Sequence, residues 1–159
     1  MRRSGILNDR LCGALAAIGH GDILMVVDAG FPIPRDADRI DLALARDLPD
    51  LRTVLALVHE ELIVERVLLA GEMAEHNAPL DTFVRAEFAE AQMDPQPHSE
   101  MLTSVAQCAK TIVRTGAFDP WGNIGLVSGV DVGDWFSREG VTVPESYRER
   151  FEAATASRG

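Results

Sequence analysis

His20 stands between Gly19 and Gly21, so neighbouring side chains leave its imidazole free to approach a ligand or a second subunit closely. An imidazole of ordinary pKa, about 6.5, both gives and accepts a proton near neutral pH, which makes His20 the first candidate for general acid/base work. Its plainer role is to end a helix, where a cationic ring complements the helix dipole. Asp28 closes the apolar run Ile23–Val27 and precedes Ala29-Gly30. It is either a ligand contact at the carboxyl end of a strand or a carboxylate that caps a tight turn. His98, in the setting Pro97-His98-Ser99, is a second ligand-contact candidate or an exposed loop residue. His59, followed by Glu60-Glu61, and His76, at the end of a polar stretch, read as solvated.

Other chemistries lack their residues. His20-Gly21-Asp22 resembles half a metal site, but no second histidine falls one helical turn away and no cysteine pair assists, so no metal is expected. Gly19-His20-Gly21 lacks the third glycine of a dinucleotide turn, and neither a Gly-Lys-Ser/Thr phosphate loop nor Gly-x-Ser-x-Gly occurs. What is left is proton transfer without a cofactor, or binding without chemistry. The formal charge of −10, from 15 basic and 25 acidic residues, opposes nucleic acid and anionic membrane surfaces as partners and suits a small neutral ligand.

The elements that must position these residues belong to one soluble globular domain, since 159 residues with 47% hydrophobic and 25% charged content exclude disorder and allow a real core. Cys12 and Cys108 are too few for a secreted disulfide scaffold, which points to the cytoplasm. No apolar run reaches the ~18 residues of a membrane span, and Met1-Arg2-Arg3 followed by Asn8-Asp9-Arg10 does not read as a targeting signal. Asn8 is set to cap a helix over residues 9 to 18, with Gly19 as its left-handed terminator. Ile23–Val27 reads as a strand covered on both faces, residues 39 to 46 as a short helix, Thr53–Val58 as a second buried strand and Val64–Ala70 as a third. A surface helix from Ala78-Pro79 carries Leu80, Phe83, Val84 and Phe88 and is stopped by Asp94-Pro95-Gln96-Pro97; residues 99 to 110 repeat the helical pattern weakly. Thr111–Gly116 and Asn123–Val127 read as late strands, and beyond Val130 a polar turn region leads to a helix opened by Pro144 with Tyr147 and Phe151 one turn apart. Alternating helices and strands give an α/β fold, a mixed sheet flanked by helices.

Several segments taken in order carry a resemblance: Ile6-Leu7-Asn8, Gly19-His20-Gly21-Asp22, Asp28-Ala29-Gly30-Phe31-Pro32-Ile33-Pro34, Arg39-Ile40-Asp41-Leu42-Ala43-Leu44, Val113-Arg114-Thr115-Gly116 and Gly122-Asn123-Ile124. Together they resemble the D-ribose pyranase family, relatives of L-fucose mutarotase. The resemblance divides the chain into a sugar pyranase-like domain, residues 1 to 130, and a C-terminal extension, residues 131 to 159.

The resemblance implies a cofactor-free isomerase that interconverts pyranose and furanose forms of a pentose, built as a ring-shaped homodecamer with sites between subunits. Carried over by position, it makes His20 the proton donor, Asp28 and His98 sugar contacts, and Trp121, Gly122 and Asn123 the counterpart of the family's tyrosine, small residue and asparagine. Trp121 departs from that tyrosine, exchanging a phenolic hydroxyl for an indole face and one N–H donor. The alternatives are mutarotation of another sugar such as fucose, and a non-catalytic sugar-binding or assembly protein on the same fold.

Overall fold

The computed structural model describes Arg3 and residues 5–156. Met1 and Arg2, read above for a targeting signal, and residues 157–159 at the end of the extension lie outside the described residues. Asn8 caps α1 (Asp9–Ala17) by accepting the Leu11 N–H at 2.9 Å, and Leu11 and Leu15 are its buried side. The helix closes in extended backbone at Ile18. The left-handed glycine is Gly21, at φ 83°, rather than the expected Gly19, because Asp22 Oδ2 takes the Gly19 N–H at 2.7 Å and satisfies that turn locally.

The chain continues through β1 (Ile23–Val27), β2 (Arg39–Asp41), α2 (Leu51–His59), β3 (Val64–Ala70), α3 (Met73–His76), α4 (Ala78–Glu87) and β4 (Gln92–Gln96). A helical segment follows, made of α5 (His98–Glu100), a wider π-type turn over Met101–Val105 and α6 (Ala106–Cys108), and leads to β5 (Thr111–Arg114) and β6 (Asn123–Ser128). The six strands form one sheet in the order β2-β5-β1-β6-β3-β4. β1 to β5 all run in one direction and β6 runs against its neighbours β1 and β3, so the sheet is mixed, as expected.

Side chains alternate across the sheet and fill two cores. Leu24, Val26, Val67, Leu69, Val113, Ile124 and Leu126 meet Leu11 and Leu15 of α1, the buried side of α2, and Leu80 and Val84 of α4. Met25, Val27, Leu68, Ile112 and Val127 meet Phe31 and the helical segment through Met101, Val105 and Ala106. This two-sided cover explains the unbroken apolar strands.

Three local expectations are corrected. Residues 39 to 46 are not a helix: Ile40, Leu42 and Leu44 alternate with polar or small neighbours, and Arg39–Asp41 pairs with β5 instead. Thr53–Val58 is not a strand but part of α2, whose buried residues Leu51, Val54, Leu55 and Val58 recur with helical spacing; Asp50 caps it through Thr53 N–H at 3.0 Å. Asp94-Pro95-Gln96 does more than stop a helix. It belongs to β4, at the edge of the sheet, where the missing proline donor is tolerated.

The described chain clusters into two compact units, one up to Gly129 and one from Val130 onward. The second holds α7 (Val132–Trp135), capped by Asp131 through Asp134 N–H at 2.9 Å, a 3₁₀ turn over Glu145–Tyr147, and α8 (Arg148–Ala156). Its aromatic centre is Phe136, 5.5 Å from the Tyr147 ring and 6.3 Å from the Phe151 ring. No helix among the described residues is long and apolar enough to cross a membrane.

Candidate functional site

Because β6 runs against the other strands, its first residue lies at the edge of the sheet where β1, β3, β4 and β5 end. Ligands of open α/β sheets sit outside that carboxyl edge. Asp28 follows β1 there, and its main-chain N–H donates to Oδ1 of Asn123, the first residue of β6, at 3.3 Å. Asn123 is buried, so its amide is a fixed part of the site. Asp28 Oδ1 accepts the Gly30 N–H at 2.6 Å, so the carboxylate caps the turn it opens. Arg114, at the end of β5, braces the same turn by donating Nε to Ala29 O at 2.9 Å, and binds both carboxylate oxygens of Asp41 at 3.1 Å.

Burial raises the Asp28 carboxyl above its ordinary value of 3.8, opposed by the Gly30 N–H, the Asn123 side chain and the charge of His98. A carboxyl with a raised folded pKa binds more protons folded than unfolded. Its contribution to stability is therefore greatest below 3.8 and is lost as pH rises through the folded pKa. Asp28→Asn is accordingly expected to unfold at a higher temperature than the unmodified protein at pH 7, with the gain vanishing near pH 3. Thermal unfolding at the two pH values checks this.

His98 follows β4 at the same edge. Its main-chain N–H donates to both Glu72 oxygens, at 3.2 and 3.1 Å, and its Nδ1 is buried without a hydrogen-bond partner. Glu72 lies just beyond β3. Its own N–H and that of His98 hold its carboxyl below the ordinary carboxylate range, with the imidazoles of His98 and His76 adding to the effect.

The turn that delivers Asn123 is wound tightly. Trp121 has φ 57°, and a Cβ on Gly122 would lie 2.8 Å from Asp119 O, so only glycine fits there. Asn77 secures the turn by donating Nδ2 to Pro120 O at 2.9 Å. The Trp121 indole stacks on the His76 imidazole, with ring centroids 4.9 Å apart and planes inclined by 23°. His76, read above as solvated, thus packs against this turn. A cleft of about 640 Å³ opens on the other flank of Asp28, toward Ala43–Arg46, Arg114 and Phe118, within the range of small-molecule sites. Of the predicted residues only Asp28 lines it, although Asp119 and Pro120 of the turn before Trp121 do as well.

His20 is at the other edge of the sheet. Gly21 N–H donates to Ser128 O at 2.8 Å, and His20 Nε2 lies 3.2 Å from Glu65 Oε2, with the imidazole 38% exposed. Ser128 and Asn123 are the two ends of β6, about 17 Å apart at strand rise, too far for one monosaccharide to touch both ends of a single chain. The structure thus brings Asp28, His98, Trp121, Gly122 and Asn123 to one edge and leaves His20 at the opposite one. Sequence reasoning missed Glu72, His76, Asn77 and Arg114. The Asn77-Ala78-Pro79 helix-start pattern was a readable signal for Asn77, and the four-residue spacing of Glu72 and His76 one for those two.

A profile of the RbsD / FucU transport protein family matches residues 1–131. The chain belongs to this family. Within the RbsD/FucU family, it is 61% identical to D-ribose pyranase 2 of Rubrobacter xylanophilus over 94% of this chain and 97% of that protein. It is 57% identical to D-ribose pyranase 1 of Streptomyces griseus over 94% and 99%. The structure of Bacillus subtilis RbsD complexed with D-ribose superposes with a TM-score of 0.78 at 36% identity, covering 82% of this chain and 98% of that one. A fucose mutarotase from Streptococcus pneumoniae shares the fold, with a TM-score of 0.60 at 16% identity.

Proposed function

We propose that this protein is a cofactor-independent isomerase that interconverts the pyranose and furanose forms of D-ribose, with His20 as general acid/base and Asp28, His98, Trp121, Gly122 and Asn123 as the sugar cradle. The pyranase names of relatives matched over nearly their whole length support the reaction and the substrate. The observation that carries the site is the convergence of Asp28, Asn123 and His98 at the carboxyl edge.

Ring opening needs only proton movement. The ring oxygen gains a proton as its bond to the anomeric carbon breaks, and the anomeric hydroxyl loses one as the carbonyl forms. Addition of a different hydroxyl to that carbonyl then closes a ring of the other size. No electrons are exchanged with a second molecule, and an imidazole working with bound water suffices at both stages. The half-buried Asp28 carboxylate and the buried Asn123 amide orient hydroxyls, and His98 Nε2 adds one further polar contact.

The distance between His20 and this cradle supports a site completed by a second copy of the chain, whose His20 edge faces the Asp28 edge of its neighbour. Contacts that join unlike edges head to tail close into a ring where the rotation between neighbours closes, and a ring-shaped homodecamer, in the cytoplasm, is the assembly proposed. Residues 131–159 are, in this reading, an extension appended to the sugar-binding domain, into which the matches to the Rubrobacter and Streptomyces relatives continue, since they run over 150 residues.

Exchange NMR on an equilibrium mixture of D-ribose forms tests the reaction. Pyranose–furanose exchange is expected to accelerate in proportion to protein concentration. Acceleration with fucose and not ribose would make the protein a mutarotase of another sugar, and saturable ribose binding without exchange would make it a binding protein.

A further inference from the structure

Glu72 and His76 bracket α3. The His76 N–H donates to Glu72 O at 3.0 Å, and the four-residue spacing sends both side chains off the same side of the turn. Each meets a different part of the sugar cradle. Pro97 stands at the cap position of the helical segment that starts with His98, and no side chain there accepts the first free N–H. Glu72 accepts it instead, on both oxygens, from 26 residues away. The direction of His98 is therefore set by the residue after β3 as well as by its own helical segment.

His76 does the equivalent for Trp121. A tryptophan at φ 57° keeps that backbone only where its surroundings hold it. Its restraints are the packing of Gly122 on Asp119, the Asn77 bond to Pro120 O, and the imidazole lying over the indole. With one indole face covered by His76, the ring's tilt follows the imidazole. We propose that Glu72 and His76 are positioning residues of the sugar site, Glu72 acting through His98 and His76 acting through Trp121. This rests on the reading that His98 and Trp121 contact the sugar.

Double-mutant cycles on the assembled full-length protein, read by ribose exchange rates across ribose concentration, test it. Glu72→Ala and His76→Ala are each expected to lower kcat/KM by up to about 10²-fold, the loss that a 1 Å misplacement can produce. Glu72→Gln, which keeps an acceptor oxygen, and His76→Phe, which keeps a stacked ring, are expected to stay within about threefold of the parent. Glu72→Ala should add no further loss to His98→Ala, and His76→Ala none to Trp121→Ala. The His98 amide proton resonance should move upfield in Glu72→Ala, as the bond to the carboxylate is lost, and not in His76→Ala. Losses that multiply with those of His98→Ala and Trp121→Ala, or conservative variants as impaired as the alanine ones, overturn the proposal. If His98→Ala and Trp121→Ala are themselves without effect, the sugar-cradle reading fails first, and the positioning proposal falls with it.

Discussion

His20→Ala is expected to slow pyranose–furanose exchange by about 10²–10⁴-fold, the usual worth of a positioned acid/base, while D-ribose still binds. Exchange NMR gives the rate, and calorimetric titration with ribose gives the binding. The separation of His20 from Asp28 along β6 makes a sharper form of the experiment possible. His20→Ala and Asp28→Ala chains, each nearly inactive alone, should regain activity when co-assembled, because some contacts then pair an intact His20 edge with an intact Asp28 edge. Random head-to-tail mixing in equal amounts predicts about a quarter of full activity. No recovery, in mixed assemblies verified by mass, would mean that both groups serve a site within one chain and would remove the shared-site reading.

Gly116→Ala is expected to be the most destabilising glycine-to-alanine change in the compact unit that ends at Gly129. A Cβ at this position would overlap Ala45 O and lie 2.6 and 2.7 Å from Leu48 O and Leu48 N, all main-chain atoms with no side-chain end to swing away. The same residue donates its N–H to Pro49 O at 2.9 Å and accepts the Asp47 N–H at 2.7 Å, so the approach is held from both sides. Overpacking of this kind costs about 3 kcal/mol, or about 6–12 °C in unfolding midpoint for a chain of this size. Because Gly116 also lines the cleft beside Asp28, exchange activity should fall with stability. Gly13→Ala is the control. Its Cβ meets nothing within 4 Å, and in the middle of α1 alanine should stabilise by about 0.5–1 kcal/mol. Thermal unfolding of the two variants side by side checks both signs; an unfolding midpoint for Gly116→Ala within a degree of the parent would refute the packing argument.

Elements whose pattern had one interpretation were legible in the sequence. Asn8 and the Leu11/Leu15 spacing gave α1, and Ile23–Val27 and Thr111–Arg114 were apolar enough to be strands buried on both faces. The failures came where a continuous apolar run hides its period. Thr53–Val58 satisfies a buried strand and a buried helix equally well, and the decision lay in Asp50, whose carboxylate accepts both Thr53 N–H and, at 2.7 Å, Thr53 Oγ1. β4 was hidden by its own proline, which is acceptable only because nothing pairs beyond it. At the candidate site, Asp28 was proposed from residue type and its place after an apolar run, and His98 from its Pro97-His98-Ser99 setting. Glu72 and His76 work through partners 26 and 45 positions away, and such pairings do not exist until the sheet is assembled.

The placement of β6 also governs how such a protein can diversify. In the proposed reading its start carries Asn123 of the sugar cradle and its end lies beside His20, so each copy lends its two ends to two different sites. A change of sugar preference, such as an indole in place of a phenol would bring, and a change in the proton donor then arise at opposite ends of one strand. Every chain serves one neighbour as donor and the other as cradle.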